Sequence, residues 1–188
     1  MNKSIDDARH FVRTTSNKYE VVIFDIVFGE NQPSHLFTVE GFREIQTILE
    51  PNGILLVNFQ GTLDQGQAAL GAKSIGKTLE AAGFTVNQHQ EESADSVNQD
   101  IIFLADMSDM DLSKALASIW FNEWTPNIQF QPSELISDQK VDYSSGYLLT
   151  DDQPRLELIN SRTILGWRTA SLTQNRKKML QAGFRLYH

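Results

Sequence analysis

Val21-Val22-Ile23-Phe24-Asp25 and, further along, Pro51-Asn52-Gly53-Ile54-Leu55-Leu56-Val57-Asn58 are the stretches whose reading decides the fold. A continuous apolar run closed by a carboxylate suits a parallel strand covered on both faces rather than a half-exposed alternating one. Between the two runs, Thr38 is a helix N-cap, followed by Phe42, Ile45, Ile48 and Leu49 at helical spacing, with Pro51-Asn52-Gly53 as the stop. Residues 54–59 then read as a second buried strand. A Gly- and Gln-rich loop leads to a helix through about Ala82, carrying Leu70, Ile75 and Leu79 and ended by Gly83. Strands follow at 84–89 and 101–105. The connection between them, residues 90–100, is polar and too short for a helical crossover, so these two strands are expected to pair antiparallel. The pattern is α/β: parallel strands, then one antiparallel hairpin at the end of the sheet.

After residue 107 the character changes. Ser108 is expected to start a helix with Leu112, Leu116 and Ile119 on one face, leading into Trp120, Phe121 and Trp124, which read as core or an intersubunit surface. Residues 125–147 look irregular, and the last element, roughly 173–182, is a basic helix ended by Gly183. Arg176, Lys177 and Lys178 are read as its solvated face. The chain has 188 residues, no cysteine and a formal net charge of −8. Without cysteine there is no disulfide, thiolate metal site or Cys nucleophile. Net acidity argues against nonspecific nucleic-acid binding and favours a cationic small molecule. No apolar run suits a membrane span and no signal-peptide pattern opens the chain, so a cytoplasmic protein is expected. His10, His35, His89 and His188 show no metal-ligand spacing. Gly71-Ala72-Lys73-Ser74 lacks the upstream glycine of a P-loop.

Asp7-Ala8-Arg9, the strand 21–25, Pro33, Leu36, Thr38, Phe42 and the stretch 51–58 follow one another in an order and spacing that resemble the spermidine synthase (aminopropyltransferase) family. That family uses the fold of class I S-adenosylmethionine methyltransferases. The resemblance covers residues 1–105 and, more loosely, the segment 149–157. It implies a partial Rossmann-like fold of parallel strands plus a terminal antiparallel hairpin, with helices on both faces. Residues 1–107 would be the C-terminal half of its core and 108–188 a helical and irregular extension of one domain, 1–188. In the family, a Gly-rich loop and an acidic ribose-binding residue precede the position of Asp7. Neither occurs after Met1 here, so the resemblance implies half of a nucleotide site.

The family activity is aminopropyl transfer from decarboxylated S-adenosylmethionine to a polyamine amine. An alkyl amine has an unperturbed pKa near ~10.4 and is protonated at neutral pH, so a carboxylate must hold the ammonium and then take its proton. Open α/β sheets place ligands at the carboxyl ends of their strands. By resemblance Asp25 matches the catalytic Asp; the alternative is a strand-end Asp capping a turn. The family carries a second Asp three residues later, where this chain has Phe28, and Glu30 is the nearby carboxylate available to hold the polyamine. Asp7 matches the Asp that accepts from the adenine amino group, with Ala8 near the ring, although Asp6 stands where the family has Gly. The alternative for Asp7 is the N-cap of a helix beginning near Ala8, with Phe11 and Val12 on its buried side. Asn58 and Gln60 end the second strand at the same rim and are candidate pocket residues. Thr150, Asp151, Asp152 and Glu157 either close the pocket mouth or form a local cap.

No cofactor is required by the sequence itself; decarboxylated or ordinary S-adenosylmethionine is the co-substrate the resemblance implies. Two other functions stay open: a methyltransferase on the same fold, and a non-catalytic remnant acting as a binding or assembly module. A polyamine or another cationic small molecule is the expected partner. With no preceding strand beside it, strand 21–25 would be an exposed edge. Residues 1–5, the C-terminal segment or a second copy would have to cover it, and a homodimer is the expected outcome.

Overall fold

The computed structural model describes residues 5–26, 32–63, 66–90, 99–108 and 141–184. Helix α1 spans Ala8–Thr14, strand β1 Tyr19–Phe24, helix α2 Val39–Gln46 and strand β2 Leu49–Gly61. Helix α3 spans Leu70–Ala82, strands β3 and β4 are Thr85–Gln90 and Gln99–Asp106, and helix α4 is Leu156–Gln181. The four strands form one sheet in the order β1-β2-β4-β3. β1 and β2 are parallel, and β4 runs antiparallel to both neighbours. β3 is therefore parallel to β2, reached through α3, and β4 turns back to wedge between them. The fold is the expected partial Rossmann-like α/β sheet, parallel strands closed by an antiparallel hairpin.

Alternation along the strands sorts the residues onto two faces. Leu55, Val57, Phe59, Ile101, Phe103 and Ala105 face one way and are fully buried. Phe42 and Ile45 of α2 and Ala72, Ile75 and Leu79 of α3 join them in the same core cluster. Each large apolar side chain buried there contributes about 1.5–3 kcal/mol. Leu156 and Leu149 extend this core, and the Leu149 backbone is stitched in from both sides: its carbonyl accepts from Val39 N–H at 2.9 Å and its N–H donates to Thr78 Oγ1 at 3.1 Å. Segment 141–157 thus packs over α2 and α3.

Several boundaries differ from the sequence reading. α2 begins as expected, with Thr38 Oγ1 accepting from Gly41 N–H at 3.0 Å. It ends at Gln46, however, because the N–H groups of Thr47 and Ile48 tighten onto Glu44 and Ile45 carbonyls. Leu49 already belongs to β2, which runs straight through Pro51-Asn52-Gly53 instead of starting after it. The pairing passes from Tyr19↔Leu49 to Val21↔Ile54, so the extra residues form a bulge. A bulge is where a proline's missing N–H costs no ladder bond. Gly53 is needed because a Cβ there would lie 2.9 Å from the Tyr19 carbonyl oxygen. The stop signal was real; it bends a strand rather than ending a helix. Gly83 closes α3 as expected, at φ +103. The last helix begins at Leu156 rather than near residue 173, and Gly183 at φ +80 ends it.

β1 is an edge strand among the described residues, with Val21 and Ile23 exposed. Of the expected coverings, residues 1–4 lie outside the described chain and segment 141–157 packs elsewhere. Also outside are Phe28, Glu30, the helix expected from Ser108 and the aromatic group Trp120, Phe121 and Trp124.

Candidate functional site

The parallel register fixes what meets at the rim of the sheet. Phe24 pairs with Val57, so the next pair along is Asp25 beside Asn58, at the carboxyl ends of β1 and β2. Asn58 Nδ2 donates to Asp25 Oδ1 at 3.0 Å. The Asp25 carboxylate is exposed, so its remaining oxygen faces solvent-accessible space at the position where open α/β sheets bind ligands. Gln32, which the sequence reading passed over, is buried below this rim and donates from Nε2 to the Asn58 carbonyl at 2.8 Å. Among the described residues, Gln32 Oε1 and Asn58 Oδ1 are buried acceptors without a donor. Together with the carboxylate they make the rim rich in acceptors, which suits a ligand that brings N–H groups.

Asp7 is the N-cap of α1, the alternative foreseen for it. Its Oδ1 accepts from Arg9 N–H and His10 N–H, both at 3.0 Å. The His10 and Arg9 amides, together with His35 at 3.4 Å from Oδ2, hold its carboxyl below the ordinary range. One oxygen is thus committed to the helix while the other lies beside His35 Nε2. Ala8 lines an open groove of ≈ 740 Å³ that runs along the free edge of β1 past Phe11, Tyr19, Val21 and Ile23 to Ile26. The structure therefore joins Asp25 to Asn58 directly, while Asp7 and Ala8 start helix α1, whose Arg9 and Arg13 are tied to Glu44 of α2. Among the described residues no group of three or more His, Cys, Asp or Glu side chains could hold a metal.

Arg9 is the residue whose importance the sequence concealed. Its guanidinium is buried and donates to Glu44 through Nε and Nη2, both at 2.9 Å. It also donates to both oxygens of Asp151 at 2.7 Å and to the His35 carbonyl at 2.9 Å. Arg13 adds a second fork onto Glu44 at 3.0 and 2.8 Å. Arg9 above all, then Arg13, draw the Glu44 pKa down to about 2 against an ordinary 4.5. Arg9 and then Thr38 Oγ1, which donates at 2.7 Å, lower that of Asp151. Glu157 likewise accepts from Ser34 N–H at 2.9 Å and from the Ser34 hydroxyl. Asp151 and Glu157 are thus fastening residues: they tie the C-terminal segment to α1, α2 and the turn after β1, while Asp152 is exposed. The signal available in sequence was Arg9 itself, the third member of Asp7-Ala8-Arg9.

The sheet order and the βαβ unit define a partial Rossmann-like α/β fold. No protein-family model matches the chain. A stretch of 90 residues is 33% identical to polyamine aminopropyltransferase 2 of Bacillus anthracis, covering 47% of this chain and 24% of that protein. A stretch of 76 residues is 29% identical to the N-terminal histidine N-methyltransferase of Emericella nidulans, covering 38% of this chain and 14% of that one. Among solved structures, a probable spermidine synthase from Corynebacterium glutamicum superposes with a TM-score of 0.47 at 17% identity, over 74% of this chain and 54% of the other. The chain thus has distant sequence similarity to an aminopropyltransferase and to a methyltransferase, and its matches span a quarter or less of those curated relatives. No described helix is long and apolar enough to cross a membrane.

Proposed function

We propose that this chain supplies the amine-acceptor side of a transferase of the S-adenosylmethionine type, nearest in design to the aminopropyltransferases. The observation that carries the reading is Asp25 at the carboxyl end of β1, held by Asn58 Nδ2 at 3.0 Å with one oxygen free. In this reading the free carboxylate oxygen receives the ammonium of a polyamine or similar cation. As the amine nitrogen attacks the carbon next to the sulfonium, the carbon–sulfur bond breaks and its electron pair leaves a neutral thioether. The proton of the former ammonium passes to Asp25, the general base. Asn58 orients the carboxylate, and positioning of the two reactants supplies most of the rest, up to ~7–11 kcal/mol in favourable cases. Asp7 and Ala8 are assigned to the nucleotide side, where an adenine amino group would share Asp7 Oδ2 with His35.

A second reading is favoured by one specific feature. Phe28 replaces the second polyamine-holding Asp, which suits a methyl acceptor other than a polyamine. Calorimetric titration of the whole chain with decarboxylated S-adenosylmethionine, S-adenosylmethionine and methylthioadenosine separates the readings, with Asp25→Asn as control. Saturable binding of the decarboxylated form, strengthened by added spermidine and at least tenfold weaker in the control, is the expected result. Binding of S-adenosylmethionine alone, indifferent to spermidine, selects the methyltransferase. No heat from a folded sample leaves the binding or assembly module.

A further inference from the structure

The Asp25 carboxylate is set by a series of hydrogen bonds that does not end at the sheet. Asn58 Nδ2 donates to Asp25 Oδ1 at 3.0 Å, and Gln32 Nε2 donates to the Asn58 carbonyl at 2.8 Å. These bonds engage the nitrogen of each amide and so fix where its oxygen lies. Among the described residues, Gln32 Oε1 and Asn58 Oδ1 are buried and accept from no donor. A buried acceptor without a donor has given up the bond that water would have made. Each amide thus gains at its nitrogen and loses at its oxygen, and the pair alone does little to hold this arrangement. Side chains of a working site keep their geometry where outer hydrogen bonds and packing lock them.

Such a lock is present at Ser34, which is buried. Ser34 N–H donates to Glu157 Oε1 at 2.9 Å and the Ser34 hydroxyl donates to Glu157 Oε2. In return, Ser34 Oγ accepts from Glu157 N–H at 3.2 Å. Three bonds therefore join one serine to the first turn of α4, and that turn is itself seated by Leu156, which is buried in the core. Pro33 stands between Ser34 and Gln32, and its ring fixes φ at −67. A held Ser34 thus leaves little play in the backbone at Gln32. The same turn is tied further along, where Arg9 donates to the His35 carbonyl at 2.9 Å and Thr38 Oγ1 to Asp151 at 2.7 Å. We propose that Glu157 is a positioning residue for the amine-acceptor rim, acting through Ser34, Gln32 and Asn58 on Asp25, a role that rests on the transferase reading above. It keeps the Asp25 carboxylate in the orientation that receives an ammonium.

The test reads the rim first and the ligand second. In isotope-labelled whole chain, the side-chain amide resonances of Asn58 and Gln32 are identified by their loss in Asn58→Ala and Gln32→Ala. In Glu157→Ala both are expected to move toward the positions of solvated amides, and calorimetric affinity for spermidine to fall at least about tenfold. Glu157→Gln is expected to restore both, because its amide can accept from Ser34 N–H and donate to Ser34 Oγ. Gly76→Ala is the control for lost stability, since it loosens segment 141–157 at Tyr143 without touching this series of bonds. It should leave the amide resonances and the spermidine affinity in place. Unmoved resonances in Glu157→Ala, an unchanged spermidine affinity there, or equal changes in Gly76→Ala would overturn the proposal. If the unmodified chain binds no spermidine, the transferase reading falls and the positioning role falls with it. The amide resonances distinguish that outcome from a failure of the Glu157 contact alone.

Discussion

At the residue scale, the charge on Glu44 and the small size of Gly76 each serve a contact between segments distant in sequence. Glu44 is depressed to about 2 in the folded protein against 4.5 unpaired, so it binds its proton less readily when folded. Its stabilisation is therefore fully present above about pH 4.5 and is lost as pH falls from there toward 2. With solvent screening of a partly exposed pair, we expect a loss of about 1–2 kcal/mol across that window. Urea denaturation at pH 6, 4 and 3 measures it, and Glu44→Gln should flatten the dependence. Gly76 lies in α3 directly under the Tyr143 ring, whose hydroxyl donates to Gln88 Oε1 at 2.5 Å. A Cβ there would lie 2.4 Å from the nearest ring carbon, so Gly76→Ala should cost about 1–3 kcal/mol in spite of its better helix propensity. Gly166→Ala is the counter-case: no atom lies within 4 Å, and helicity should rise. Both glycines sit mid-helix and look alike in sequence; only their neighbours tell them apart.

At the element scale, Arg9 is the fastening between α1, α2 and segment 150–157. Arg9→Met leaves Glu44 and Asp151 without their shared cation and should destabilise by about 2–3 kcal/mol, while Arg13→Met, at an exposed fork, should cost less than about 1 kcal/mol. Equilibrium unfolding of the two variants side by side checks the ratio; equal losses would mean that Arg9 is no more than a surface partner. The strands and the caps at Thr38 and Gly83 were legible because each is a local preference: β-branched and aromatic runs, a hydroxyl before a helix, a glycine after one. The continuation of β2 through Pro51 was not legible, since it depends on Tyr19 lying alongside to accept the bulge. Asp7 illustrates both sides. Its capping role could be read from the chain, but its pairing with His35 could not.

At the scale of the whole molecule, formal charge divides along the chain: residues 1–157 carry −14 and the stretch after Glu157 carries +6. The sequence by itself determined the α/β class, the antiparallel end of the sheet, the position of Asp25 at a strand terminus and the uneven distribution of charge. These follow from periodicity, loop length and composition, which are properties of neighbours along the chain. The tertiary structure decided that Asn58 orients Asp25, that Gln32 lies buried beneath them, and that Asp151 binds Arg9 and Glu157 binds Ser34. It also decided that the described side chains of α4 from Leu165 onward lie largely exposed. Those outcomes depend on which distant segments come into register, and burial then sets the cost of each unpaired polar group or exposed apolar face.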